Sequence, residues 1–392
     1  MQTHSYVYKV NMKIIKFQYS DKTLEWSLQD ISFDKLTLLV GASGVGKTQI
    51  LDAIQSVKRI AKGKSLSGIK WFIEFTTLNG YSYKWEGEFE DKGPQVLFED
   101  EDEDSKTAQP KILWEKIWLN DEEVVKRTSK DTFFNGAKTL KLSLQQSTLF
   151  ILKEEDKLKP AFEGFNKILY SDYSDSQSRP LQNIIFFNNQ NLERKFNSLK
   201  KIQESDEDIL VKLNLVSKID NKTFSKIKER FCEIFPQVED IKVAPLDVQR
   251  EGLPIFLKDS PFIQIKEVGI DKWIQQRKIS SGMFRTLIHV SEVYLCAEGT
   301  VFLIDEFENS LGINCIDELT NDILQSKRKL QFIITSHHPY IINNINYSFW
   351  KLVTRKQGIV RTHPIEKFNI GRSKHDAFMQ LLQLEEYQTG IG

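Results

Sequence analysis

Two glycines, a lysine and a threonine stand at the spacing that cradles phosphate. They are Gly41, Gly46, Lys47 and Thr48, inside "LTLLVGASGVGKTQILDAI" at residues 36–54. A loop of this kind offers backbone N–H groups from Gly41, Ala42, Ser43, Gly44, Val45 and Gly46 to phosphate oxygens. Lys47 then reaches the outer phosphates, Thr48 is placed to ligate Mg²⁺, and Gln49 continues the same turn. Binding phosphate breaks no bond, however. Hydrolysis also needs a carboxylate to hold metal and a group that orients or deprotonates water. The stretch "TVFLIDEFENSLG" supplies both: Val301 to Ile304 read as a continuous apolar strand, so Asp305 and Glu306 emerge together at its C-terminal end. Asp305 is expected to reach Mg²⁺ and Glu306 to face the attacking water. A second apolar strand, "QFIITSHHPY", ends in Thr335, Ser336, His337 and His338. A histidine at that edge can hydrogen-bond the terminal phosphate and report its presence. His289, inside an apolar helical pattern, reads as packing instead.

These residues need a strand before the loop and a helix after it. Leu36, Leu38, Leu39 and Val40 read as a buried parallel strand. Ile50, Leu51, Ile54 and Val57 recur at helical spacing, and Gly63 is a natural stop. Upstream, "KIIKFQYS" and "LEWSLQDISF" read as strands. Downstream, "IKWFIEFTTLNGYSYKWEGEFE" reads as a hairpin turning at Asn79-Gly80. The acidic run Phe98–Lys106 is expected to be a solvated loop. Helical patterning dominates from about residue 150 to 236, interrupted by the polar "YSDYSDSQSRP". Its modestly basic stretches, "LERKFNSLKK" and "SKIKER", read as solvated helix faces. Strands return from "FPQVEDIKVAPLD", and a helix follows residue 281. The arrangement predicts an α/β nucleotide-binding core interrupted by a helical lobe: 1–146 and 241–392 for the core, 147–240 for the lobe.

Composition narrows the function. Among 392 residues, 54 Lys+Arg balance 54 Asp+Glu, so no chain-wide field for nucleic acid exists, although a local basic face remains open. Cys232, Cys296 and Cys315 lack metal-type spacing and read as buried thiols of a reducing cytoplasm. No basic-apolar leader opens the chain and no apolar run approaches the ~20 residues that span a bilayer. A cytoplasmic protein without a membrane partner is expected.

One further stretch, "KISSGMFRTLIHV", puts Ser280, Ser281 and Gly282 before a helix, where free N–H groups suit a phosphate. The motif order (phosphate loop, helical lobe, Ser-Ser-Gly, Asp-Glu, Ser-His) resembles the ABC-type ATPase heads. More narrowly it resembles the soluble branch that holds RecF, the SMC and Rad50 heads, the OLD-like ATPases and the AAA_15- and AAA_21-like proteins of bacterial anti-phage defence. Ser280 and Gly282 match the serine and second glycine of the ABC signature, Asp305 the Walker B aspartate, Glu306 the catalytic glutamate and His337 the switch histidine. Glu308, Asn309, Ser310 and Leu311 resemble the branch's E-N-G-L stretch. Ser281 replaces the first signature glycine, Met283 stands where transporters carry glutamine, and "SLGIN" lacks the His-Pro common after E-N-G-L. A transporter partner is therefore not implied.

The resemblance implies an ABC-type mixed sheet flanked by helices, ATP and Mg²⁺ as cofactors, and ATP hydrolysis. It implies a Q-loop metal ligand, for which Gln145 or Gln146 fits, and an aromatic on adenine, for which Phe17 or Tyr19 is available. It implies a head-to-tail homodimer in which the signature of one copy closes over the nucleotide of the other. With about 55 residues after His337, no appended nuclease is expected. The leading reading is a regulator of a separate nuclease or toxin effector in anti-phage defence. Two others are a RecF-like repair ATPase that binds DNA itself and a nucleotide-gated scaffold without turnover.

Overall fold

The computed structural model describes residues 12–93, 109–171, 191–245, 261–308, 318, 320–321, 323, 328–371 and 374–392. The acidic run Phe98–Lys106, residues 172–180 of the polar interruption, Asn309, Ser310, Leu311 and Cys315 lie outside them. The chain forms two compact units. One gathers Met1–Ser171, Glu298–Phe307 and Ser326–Gly392; the other gathers Asp172–Ala297 and Glu308–Gln325. This division differs from the three expected spans. The segment after residue 146 runs on in the first unit to Ser171, and the strands and helix at 238–295 belong with the helical unit.

The first unit begins with β1 (Lys13–Asp21), β2 (Trp26–Ser32) and β3 (Leu36–Val40), then helix α1 (Lys47–Ala61). A meander follows: β4 (Ile69–Thr76), β5 (Ser82–Phe89), β6 (Ile112–Leu119), β7 (Glu122–Thr128), β8 (Thr132–Phe134) and β9 (Ala137–Lys138). Short helices α2 (Thr148–Ile151) and α3 (Lys159–Asn166) lead into β10 (Ile168–Ser171). β4 and β5 pair antiparallel as predicted, joined by Thr77–Tyr81 with Gly80 at φ +83°. They alternate buried and half-exposed residues, as a sheet with one wet face must. β3 is buried at all five positions, as befits a parallel strand covered on both faces.

Burial also explains α1. Ile50, Leu51, Ile54, Val57 and Ile60 form its inner stripe, each stabilising by about 1.5–3 kcal/mol. Lys58 and Arg59 occupy its last turn, where cations complement the helix dipole. The predicted stop holds: Gly63 takes φ +87°, and the Phe150 ring lies 2.7 Å from where its Cβ would be. Ser147 fixes the same end, its Oγ donating to the Ile60 carbonyl at 2.9 Å.

Ser147 adjoins a buried ion pair. Glu115 and Arg127, at 0% and 1% exposure, lie 3.5 Å apart on β6 and β7. Glu115 also accepts from the Trp85 indole at 2.9 Å and from the Thr148 backbone N–H and hydroxyl, both at 2.7 Å. Arg127 donates to the carbonyls of Gln146, at 2.8 Å, and Ser143. Removing one partner strands the other charge. Arg127→Leu should therefore destabilise the chain by about 3–5 kcal/mol in urea unfolding; a loss under about 1 kcal/mol would show that water reaches Glu115.

The second unit contains α4 (Asn191–Lys195), α5 (Leu199–Glu204), α6 (Ile209–Ile219), α7 (Asn221–Ile234), an antiparallel sheet of β11 (Val238–Pro245), β12 (Pro261–Glu267) and β13 (Trp273–Gln275), and α8 (Ser281–Leu295). Asp220 ends α6 and caps α7, accepting from the Thr223 hydroxyl at 2.9 Å. Basic residues of both stretches are paired at the surface: Lys200 with Glu204 at 3.9 Å, Arg230 with Glu233 at 2.9 Å and Glu318 at 2.7 Å, and Lys228 with Asp240. His289 is packing, as expected. Burial, reinforced by the Arg285 charge, pulls its imidazole down to about 3, so it stays neutral beside Glu292. Cys296 is a buried free thiol and Cys232 a half-buried one.

The chain returns to the first unit with β14 (Val301–Ile304) and β15 (Gln331–Thr335), then α9 (Pro339–Asn344), β16 (Trp350–Lys356), β17 (Ile359–Pro364), α10 (Lys374–Gln383) and α11 (Glu385–Thr389). Among the described residues the sheet runs β10-β14-β15-β3-β16-β17-β2-β1-β4-β5-β6-β7-β8-β9. From β10 to β16 neighbours are parallel; beyond, all are antiparallel except β17 with β2. The expected large mixed α/β sheet flanked by helices is what the chain forms. Among the described residues no helix is long and apolar enough to cross a membrane.

Candidate nucleotide site

Parallel registry gathers the chemistry on one edge. Ile304 pairs with Ile334, and Thr335 with Leu39, so the strand ends at Gly41, Asp305 and Ser336 point the same way. Residues 41–46 turn tightly from β3 into α1. Gly41 takes φ +151°, and a Cβ there would sit 2.5 Å from the Val353 carbonyl. Gly46 takes φ +101°, where a Cβ would meet Val360 at 2.9 Å and the Gln49 amide oxygen at 3.0 Å. Any side chain at either position is excluded by strain and space together.

Lys47 is 5% exposed, yet its ammonium is well supplied with acceptors. Nζ donates to the carbonyls of Gly41, at 3.0 Å, and Ala42, at 2.8 Å, and lies 3.5 Å from His337 Nδ1. The loop, the lysine and the histidine thus meet at one point. Thr48 Oγ1 donates to both Asp305 carboxylate oxygens, at 2.9 and 3.1 Å. Glu306 is exposed beside it, at φ +43°. That left-handed backbone is costly for glutamate, by about 1–3 kcal/mol.

Thr335 holds this arrangement, a role that sequence reasoning missed. Its hydroxyl donates to Asp305 Oδ1 at 2.6 Å and accepts from the Glu306 backbone N–H at 2.8 Å. Its carbonyl accepts from the Phe307 N–H at 3.0 Å. One threonine thereby fixes the Asp305 carboxylate and both amides that follow it. The available signal was weak: a hydroxyl at the end of a strand, meaningful only once registry sets it beside Asp305.

The donors at Thr48 and Asp305 are hard oxygens, the chemistry that suits Mg²⁺. Among the described residues no group of three or more His, Cys, Asp and Glu forms a cage.

A family model described as "AAA domain, putative AbiEii toxin, Type IV TA system" matches residues 36–343, a span that includes the phosphate loop, the paired acids and the histidine. The chain belongs to this AAA_21 family. Among solved structures it is similar to an Smc head bound to the C-winged helix domain of ScpA, at 14% identity and TM-score 0.47 over 91% of this chain and 99% of that one. It is also similar to the Pyrococcus furiosus Smc head domain with an extended coiled coil bound to the C-terminal domain of ScpA, at 13% identity and TM-score 0.48 over 91% and 98%. A third is the SMC head domain from Thermotoga maritima, at 13% identity and TM-score 0.42 over 90% and 99%. All three likenesses are loose. No curated protein matches the chain.

Two expectations are not met in this AAA_21 chain. Gln145 and Gln146 lie in a turn rather than at a strand end, next to Ser147 at the far end of α1. Ile60 is about 18 Å along the helix from Thr48, so Gln146 is no ligand of the same metal. Phe17 and Tyr19 cannot stack on adenine either. Both side chains are buried in the core, and Tyr19 is hydrogen-bonded to Ser56 of α1. Ser280, Ser281 and Gly282 do stand at a helix start. Ser280 caps α8, accepting from the Met283 N–H at 3.3 Å, and Ser280 and Ser281 are exposed.

Proposed function

We propose that this protein hydrolyses ATP and that hydrolysis governs an ATP-linked homodimer. The observation that carries the reading is the convergence of Lys47, Thr48, Asp305, Glu306 and His337 on one sheet edge. The loop amides and Lys47 bind the triphosphate. Thr48 and Asp305 would hold Mg²⁺, which when bound neutralises phosphate charge. Glu306 takes the proton of a water that attacks the γ-phosphorus, as the bond to the ADP oxygen breaks. His337, beside Lys47, donates to the γ-phosphate and distinguishes ATP from ADP.

Ser280, Ser281 and Gly282 complete the site from a second copy: their exposed helix start suits a phosphate contributed by a partner. In the Glu306→Gln background, ATP should double the mass seen by light scattering, and adding Ser280→Arg should return it to that of one chain. A chain that binds ATP yet stays monomeric would overturn the dimer. The output is a separate effector, a nuclease or a toxin, in anti-phage defence; the toxin–antitoxin wording of the family description supports this direction. A binding partner captured with ATP and released with ADP is the expected result. ATP-dependent DNA binding with a steep salt dependence would favour the repair reading instead.

A further inference from the structure

Residues 385–392 lie against the outer side of the phosphate loop. Helix α11 ends at Gly390, which takes φ +71° and is buried. A Cβ built on Gly390 would stand 2.5 Å from Val45 Cγ1 and 3.3 Å from Ala42 Cβ. The Gly390 carbonyl accepts from the Arg355 backbone N–H at 2.7 Å, which ties the segment to β16. Arg355 in turn donates from Nη1 to the Gln49 amide oxygen at 3.0 Å, one residue past Thr48. Farther along, Arg361 Nη1 donates to the Gly392 carbonyl at 3.5 Å, and Gly392 packs on the Thr354 side chain.

One segment therefore bears on the loop twice, directly at Ala42 and Val45 and through Arg355 at the first turn of α1. A loop with glycines at 41, 44 and 46 has much backbone freedom to lose when its N–H groups converge on a ligand. Packing that orders such a loop beforehand removes part of that loss and appears as affinity. We infer that residues 385–392 are a positioning strap for the phosphate loop, with Gly390 and Arg355 as its two attachment points. The inference rests on the nucleotide-binding reading. The strap makes no contact with Asp305 or Glu306 among the interactions above, so it acts on binding rather than on bond breaking.

The test is ATP titration by calorimetry alongside steady-state kinetics on the full chain. Gly390→Ala should raise the ATP Kd roughly tenfold, the equivalent of about 1.4 kcal/mol, while kcat at saturating ATP stays within about twofold. Arg355→Met, which severs only the link to Gln49, should raise Kd by a smaller factor. Because the Gly390 effect passes through Val45, Val45→Ala should relieve it, so that the double variant binds better than additivity predicts. Should Gly390→Ala fail to fold, Arg355→Met decides alone. Wild-type Kd in every folded variant, or strict additivity with Val45→Ala, would overturn the strap. A wild-type chain that binds no ATP would overturn the nucleotide reading instead, so the two failures are told apart.

Discussion

Glu306→Gln should slow ATP turnover by roughly 10²- to 10⁴-fold, the scale on which a general base acts, and should leave ATP binding in place. The amide keeps the size and hydrogen-bonding reach of the carboxylate but cannot take the proton. Its backbone N–H still donates to Thr335, so the left-handed turn at 306 survives the change. Single-turnover phosphate release separates the outcomes. An unchanged rate would remove Glu306 from the chemistry; a rate lost together with ATP affinity would mean that the turn itself had collapsed. Aspartate at 306 is the complementary probe. It retains the charge and retracts the oxygens by one methylene, so a partial loss would identify position as well as basicity.

Removing the Lys47 ammonium should cost ATP affinity about a hundredfold. A charge-assisted hydrogen bond contributes about 1.5–3 kcal/mol, so two bonds to phosphate would suggest a larger loss. But Nζ is already bonded to the carbonyls of Gly41 and Ala42, and a phosphate must be exchanged for part of that set. The exchange places the effect at the lower end. Lys47→Ala also empties the buried stem, so Lys47→Met, which fills the space without the charge, is the cleaner variant. Equal losses in the two, by calorimetry, would assign the effect to the charge. Unchanged affinity in both would contradict the phosphate-loop assignment.

The chemistry was legible because it is local. The loop spacing lies within eight residues, and the strands before Asp305 and His337 are buried on both faces and so read as unbroken apolar runs. The remainder depends on contacts distant in sequence. Whether an aromatic on β1 faces core or ligand is decided by what packs beneath it, and Ser56 of α1 lies under Tyr19. The place of Gln146 is dictated by Arg127, which donates to its carbonyl, and by Glu115, which holds Thr148 two residues on. The role of Thr335 appears only when β15 is laid beside β14. Likewise nothing near Gly390 in sequence points to Val45, more than three hundred positions away.

The anchoring of α1 at Ile60 and Gly63 bears on how force would travel through the molecule. The rod cannot slide along its own axis without parting the Ser147 bond or driving its last turn into the Phe150 ring. A charged group tugging at the lysine end consequently meets a member braced at its far end.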